Sequence, residues 1–431
     1  MAISSSMRNL WLVQMCFLLT WLVYRNTLDA GLKGHETYEA YRGSIALLYA
    51  VMQCALGIYM YRRSARPYPL QEKSKGEKAV DEDQDRYEDI ESLDHFDWKA
   101  TTPLQIRPFK PMYHLTMALE NMPLSELIEI DNTYHDRLAM RESILEEHPE
   151  QTLACNPCAE PAVQELHHWL LTTYLPKRYP TIYQLRKPSN EEKQTNPYLH
   201  DATRNTNIPI PSHPTGLSAL KTLGSNIDTD FLLLLPSSTT TTTNPTTQEP
   251  ELQPLYHLEA FITTFPAGFD TRSKLGKPLA EIHKPVPGYT KRLEKSMDRF
   301  FAKLEVGKAV KRANWSVVEG EKLFTPAGTH LYADDGDGDE AEGLRRQREA
   351  VRPQEWRLRV ERQTLHRLPR TRALVFAFKT YQYRLENVKA DGDGEALALA
   401  SEGLAGGSVP EMEFYKKGVV WGEKVREFLR S

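Results

Sequence analysis

Five segments between residues 231 and 383 carry strand character, and they constrain the fold more than any other feature of the chain. They are Phe231–Leu235, Tyr256–Phe265, Val310–Val318, Trp356–Thr364 and Leu374–Tyr383. In the fourth, Trp356, Leu358 and Val360 alternate with Arg357, Arg359 and Glu361, the period-two pattern of a strand. Few helical stretches separate the five. They predict one antiparallel, five-stranded sheet with helices packed on a face or end, an α+β layout.

Helical faces lie around these strands. Ala162, Val163, Leu166, Trp169, Leu170 and Tyr174 mark one face, and Leu293, Met297, Phe300, Phe301 and Leu304 another. Pro410 to Leu429 is a third candidate, with its proline in the first turn. Three polar segments read as disordered insertions, near 187–214, 237–250 (with its threonine run) and 333–353. The last holds Asp334-Asp335-Gly336-Asp337, which lacks the full spacing of a calcium loop and reads as an acidic loop.

The N-terminus has a different character. Leu10–Tyr24 and Ser44–Tyr61 are apolar runs, the second long enough to span a bilayer and the first marginal. They predict a membrane anchor over residues 1–65 of one or two transmembrane helices; a secretory signal in the first run and a buried hairpin are the alternatives. Arg62, Arg63 and Arg66, followed by Lys73, Lys75 and Lys78, favour a cytosolic main domain. Residues 66–102 are strongly charged and read as a disordered linker, leaving 103–431 as the main domain. The sequon Asn314-Trp315-Ser316 sits in an expected interior strand and lends no support to a lumenal domain.

Net charge is −4 with a pI near 6.4, so no global basic field invites nucleic acid. The chain has no G-x-S-x-G, P-loop, H-E-x-x-H or G-x-G-x-x-G motif. Four cysteines include one C-x-x-C pair, Cys155 and Cys158, which reads as a connecting loop before zinc or redox chemistry. His283 is the strongest single candidate for chemistry. Pro278, Pro285 and Pro287 stiffen the backbone around it, which suits a metal ligand that must hold one direction; a hydrogen-bonded turn histidine is the plainer reading. Arg312, Asn314 and Trp315 share one strand, and Arg359, Arg362 and Arg367 sit on or beside another. Such arginines either grip carboxylates or form salt-bridged surface ladders. His366, at a strand end expected to be exposed, ranks below His283.

Several spaced motifs resemble those of the haem-dependent oxidative N-demethylase alpha-subunit-like family, in its fungal form. They are Tyr113-His114-Leu115-Thr116-Met117-Ala118-Leu119, Leu127 to Tyr134, Tyr174 to Pro180, Lys274 to Tyr289 around His283, Asp298-Arg299-Phe300-Phe301, Arg312 to Ser316, and Glu361-Arg362-Gln363-Thr364-Leu365. Ala118 stands where the family usually has glycine, and His366 where it usually has arginine. The resemblance implies a PAS-like fold, b-type haem and oxidative removal of a methyl group from a small secondary amine, with electrons from a separate flavin or iron–sulfur reductase. By position it implies His283 as the proximal metal ligand, Arg312 and Arg362 at the haem propionates and Trp315 on the pocket wall. No catalytic distal residue is named by it. A non-catalytic haem- or ligand-binding sensor at a membrane is the alternative, since a shared fold does not carry an activity.

Overall fold

The computed structural model describes residues 87, 90–187, 196–243, 250–332 and 339–431. The apolar runs Leu10–Tyr24 and Ser44–Tyr61 and the basic cluster after them lie outside the described residues. Among the described residues no helix is long and apolar enough to cross a membrane.

The centre is an antiparallel sheet. Its strands are β1 (Glu120–Met122), β2 (Leu153–Cys155), β6 (Asp230–Thr243), β7 (Pro250–Ile262), β8 (Ala309–Glu319), β9 (Trp356–Arg367) and β10 (Leu374–Arg384), in the order β1-β8-β9-β10-β6-β7-β2. The five strands legible in the sequence are its five central ones. The expected five-stranded sheet is therefore corrected to seven, because β1 and β2 at the edges have three residues each, too few to show a period. A second sheet, β3 (Tyr183–Arg186), β4 (Tyr198–Asp201) and β5 (Thr206–Pro209), occupies part of the segment expected to be disordered. Leu199, Ile208 and Ile210 are buried there and supply its core.

Helices cover both faces. On β6, Leu232 and Leu234 join one core and Phe231, Leu233 and Leu235 the other, which is why this strand is an unbroken apolar run. One core is closed by α1 (Tyr134–Glu147), α2 (Glu160–Trp169) and α3 (Gly216–Asn226). The other is closed by α4 (Leu279–Ile282), α5 (Tyr289–Arg292) and α6 (Glu294–Lys303), and by the C-terminal α8 (Leu385–Ala390), α9 (Gly394–Gly406), α10 (Glu411–Tyr415) and α11 (Gly418–Arg430). A surface helix α7 (Asp339–Ala350) fills much of the expected 333–353 insertion. The threonine run 239–243 extends β6, paired with β7 out to Thr243 and Pro250. Residues 90–102 also depart from the expected linker. Ile90 is buried, Phe96 lies against Tyr179 and Trp98 against His135, so the aromatics within this charged stretch strap it to the α1–α3 core.

Strand β9 is buried along most of its length despite its charges. Its arginines are not a surface ladder: Arg359 is 1% exposed and Arg367 4%. His366 is 2% exposed, not at an exposed strand end, and packs beside Tyr87 and Trp169. Neither ring nitrogen has a partner, and burial pushes its pKa down to about 3. On β10, Lys379 donates to Asp131 at 2.6 Å and lies 3.3 Å from Asp228, which Arg137 also holds. Burial works to raise the Asp228 pKa, yet Arg137 and Lys379 leave it lowered.

Replacing Lys379 by Met strands buried Asp131 and leaves Asp228 to Arg137 alone, so Lys379→Met should lose about 3–5 kcal/mol of stability. Urea unfolding at neutral pH measures this, and the deficit should shrink in acid, where Asp228, held low in the parent partly by Lys379, takes up a proton. His366 gives the second expectation. Between its ordinary pKa and about 3 only the unfolded chain binds a proton at this site. Its contribution is thus complete above pH ~6.5 and falls as pH drops, by up to about 1.4 kcal/mol per pH unit. Stability curves of the parent and His366→Phe should therefore converge or cross in favour of the variant as the solution is acidified; parallel curves would show that the native state protonates this ring.

Candidate functional site

His283 closes the one-turn helix α4. Pro278, with extended backbone, starts that turn, and the segment before it is fastened to the sheet: Gly276 N donates to Leu258 O at 2.6 Å and Leu258 N to Lys277 O at 3.1 Å. The Leu279 carbonyl accepts from both the backbone N–H of His283 (3.0 Å) and its Nδ1 (2.9 Å). A carbonyl can only accept, so Nδ1 carries the proton and Nε2 carries the lone pair. The Tyr289 ring stacks on the imidazole with centroids 4.8 Å apart and 15° between planes. Gly288 makes the intervening turn at φ 76°; a Cβ there would come within 2.8 Å of Val409 and 3.2 Å of Leu115. Burial lowers the His283 pKa, and the charges of Arg312 and Lys274 act in the same direction against the Leu279 bond. The ring is neutral.

This imidazole lines a cavity of about 270 Å³ between the sheet and α4–α6. Leu232, Leu258, Leu279, Ile282, Phe376 and Phe378 give it apolar walls. Residues 113–119 form another side, with Tyr113, Met117 and Leu119 facing in. Ala118 lies in that strap at φ 50°, a left-handed backbone that glycine adopts without strain. The C-terminal helices contribute Met412, Tyr415 and Lys416.

Charge on the wall is mostly positive. Arg359 donates to Phe265 O, Pro266 O, Leu323 O and Thr325 Oγ1, so its guanidinium is occupied by the loops it joins. Burial pushes its pKa down to about 10. Arg312 is the opposite case. Its only hydrogen bond runs from Nη1 to Met117 O at 3.3 Å, its Nε is buried without a partner, and burial lowers its pKa. Lys416 donates to Trp315 O at 2.5 Å and Asn314 Oδ1 at 3.2 Å; burial, then Arg312, pushes its pKa down to about 8. His330 stacks on Tyr415 at 4.4 Å, and burial followed by the Lys416 charge takes its pKa to about 4. Glu361, accepting from Gln363 Nε2 at 2.8 Å, is the only carboxylate on the wall among the described residues.

The structure therefore joins His283 and Arg312 at one cavity, as the sequence motifs expect. It places the other two elsewhere. Trp315 lies between the inward-facing Asn314 and Ser316 of β8 and packs edge-on to Phe109, outside the lining. Arg362 is turned to the segment after β1, donating to Glu126 O at 2.8 Å and lying 3.3 Å from Glu129. Glu361, His330, Tyr289 and Lys416 are wall or support residues that sequence reading did not single out. His330 and Lys416 come from segments with no motif of their own, whereas Tyr289, six residues past His283 across a proline-rich turn, was within reach. Cys155 and Cys158 are free thiols at the end of β2, both with pKa pushed up, to about 12 and 11, by burial and nearby acids. They behave as a connecting loop. No group of three or more His, Cys, Asp and Glu side chains converges on a metal position among the described residues; the wall carries two imidazoles, His283 with its Nδ1–H fixed on Leu279 O, and His330 with Nδ1 3.2 Å from Thr329 Oγ1.

A neutral histidine with a directed lone pair, an apolar chamber and an arginine lacking an anion form a coherent set. His283, Arg312 and all of the wall except its 113–117 part fall within residues 118–426, which match the family model described as "Haem-dependent oxidative N-demethylase, alpha subunit-like". That match spans well over half of the chain, and the protein belongs to this family.

Proposed function

We propose that the chain is a haem-dependent oxidase that removes a methyl group from a small secondary amine, releasing formaldehyde. The observation that carries this reading is the His283 geometry: Nδ1–H fixed on Leu279 O, Tyr289 stacked beneath, and Nε2 left free on the wall of an apolar cavity. A carbonyl acceptor on the far nitrogen fixes the tautomer and raises the donor strength of the other. The donor set fits haem: one imidazole for the iron, leucine and phenylalanine walls for the macrocycle, and the unpaired Arg312, with Lys416, for a propionate. Ala159 follows Cys158 where covalent haem attachment needs histidine, which favours non-covalent b-type haem.

When bound, haem supplies the activation of dioxygen that oxidation of the C–H bond beside nitrogen requires. The chain's own residues would do the rest. His283 holds and orients the group. The apolar walls keep water from the reacting carbon. A secondary amine is protonated at neutral pH, and Glu361 supplies the one wall carboxylate that can hold the ammonium and take up a proton from it. Two electrons per turnover come from a separate flavin or iron–sulfur reductase. The fold is read as a PAS-like sheet extended by its short edge strands. On the strength of Leu10–Tyr24, Ser44–Tyr61 and the basic cluster that follows, the N-terminus is read as a membrane anchor with the main domain on the cytosolic side.

Purified full-length protein should take up haem with a Soret band that is lost or shifted in His283→Ala and restored by added imidazole. Dimethylamine with a chemical or protein reductase should then yield formaldehyde. No Soret band in folded parent protein would remove the reading; haem binding with no turnover of any small amine would leave a ligand-binding sensor. Glu361→Gln should raise the amine KM at least about tenfold, because the ammonium loses its counter-charge, while haem is still bound, since Glu361 also opposes the cations Arg312 and Lys416 and its loss leaves them freer for a propionate.

A further inference from the structure

The bracket that carries His283 also presents a basic stretch at the surface. From Arg272 to Lys308 there are ten Lys and Arg against four Asp and Glu, in a chain whose net charge is −4. Lys291, Lys295, Arg299 and Lys303 are exposed and spaced four apart, so they form one stripe along α5 and α6. Elsewhere the surface neutralises its own arginines: Arg345 pairs with Glu342 and Glu349, and Arg430 with Glu395 and Glu402. The stripe has no such pairing among the described residues. Glu294 and Asp298 lie in a neighbouring row, and burial and Glu294 push the Asp298 pKa up to about 6, the direction expected where no cation is close. Like charges four apart on a helix repel by roughly 0.2–0.5 kcal/mol per pair. The stripe is thus not explained by stability.

The stripe ends at an open groove of about 640 Å³. Met122, Pro123, Phe300 and Leu304 give the groove an apolar floor, and Lys303 and Lys308 stand on its rim. An apolar centre bordered by charge is the anatomy of a protein interface, more than of a flat lipid contact. The position narrows the partner further. Tyr289, which stacks on His283, stands two residues before Lys291, so the stripe begins beside the support of the ligand segment.

Resting on the haem reading above, we propose that the Lys291–Lys303 stripe and its groove form the docking surface for an acidic electron-donor protein. Complementary charge guides the donor, and the groove takes an apolar side chain at its centre.

The test uses the full-length chain and an acidic flavodoxin as probe. Binding is titrated at about 50 mM and at several-fold higher salt. In the variant, Lys291→Glu is combined with Arg299→Glu; this places each new carboxylate four residues from Lys295 or Lys303, so the helix gains attractive pairs and thermal unfolding should stay at or above the parent's. The variant should bind at least about tenfold more weakly and lose most of its salt dependence, while Arg345→Glu on α7 leaves binding unchanged. Equal affinity in parent and variant would overturn the proposal. So would parent protein that ignores flavodoxin and binds phosphatidylserine vesicles through the same residues. The Soret band reports separately: its absence with flavodoxin binding intact removes the haem reading and keeps the acidic docking face.

Discussion

The guanidinium groups of β9 hold the site together. Arg359 ties two loops, at Phe265–Pro266 and Leu323–Thr325, to the centre of the sheet. Arg367 reaches Phe301 O and Leu304 O at 2.5 and 2.6 Å, gathering carbonyls at the C-terminal end of α6, where a helix leaves them without partners. Both side chains are buried, and both are matched by main-chain acceptors and not by carboxylates. A buried cation so satisfied fixes backbone segments that have little regular structure of their own. Removing either would leave several carbonyls without donors inside the protein.

Against that background Arg312 stands apart. It shares with Arg359 its burial and an orphaned Nε, but where Arg359 makes four hydrogen bonds Arg312 makes one weak carbonyl contact. Of the two arginines on the cavity wall, Arg312 keeps the more unspent donors. Lys416 and His330 reinforce the field. Each is displaced toward its neutral form first by burial, then by a neighbouring cation, as happens when positive groups crowd a chamber with a single carboxylate, Glu361, to oppose them. The cationic side of the cavity and the neutral, directed imidazole of His283 thus share one chamber with apolar walls.

Sequence periodicity revealed the five central strands and the helical faces because both are repeated signals over many residues. It missed β1 and β2, which take their pairing from β8 and β7 and not from a pattern of their own. The polar stretch 196–209 and the threonine run were misread for a related reason. Composition reports solubility, whereas their strands form by pairing with neighbours already in place. Alternating charge in β9 misled in the other direction, since arginine can be interior when carbonyls meet it. Of the site, His283 and Arg312 were legible. Trp315 and Arg362 share their motifs but not their cavity, because neighbouring residues of a strand point to opposite sides. Ala118 was legible only as a departure from glycine; its φ of 50° gives that departure a physical meaning.

Lys416 shows most clearly why the remainder was hidden. It sits between α10 and α11, about a hundred residues from the strand it touches, and nothing nearby marks it. The structure that places it is local and strained. Lys417, the next residue, holds φ 59° without being glycine, a conformation kept only where surroundings enforce it. The enforcement is visible: fully buried Trp421 donates Nε1–H to Lys416 O at 2.9 Å, while Lys416 Nζ reaches across to β8. The turn is clamped at its carbonyl and at its ammonium, and the strain lies between the two. The C-terminal helices are accordingly part of the cavity and not an appendage to it. This also accounts for a family match that runs on to residue 426, well past the last strand of the sheet.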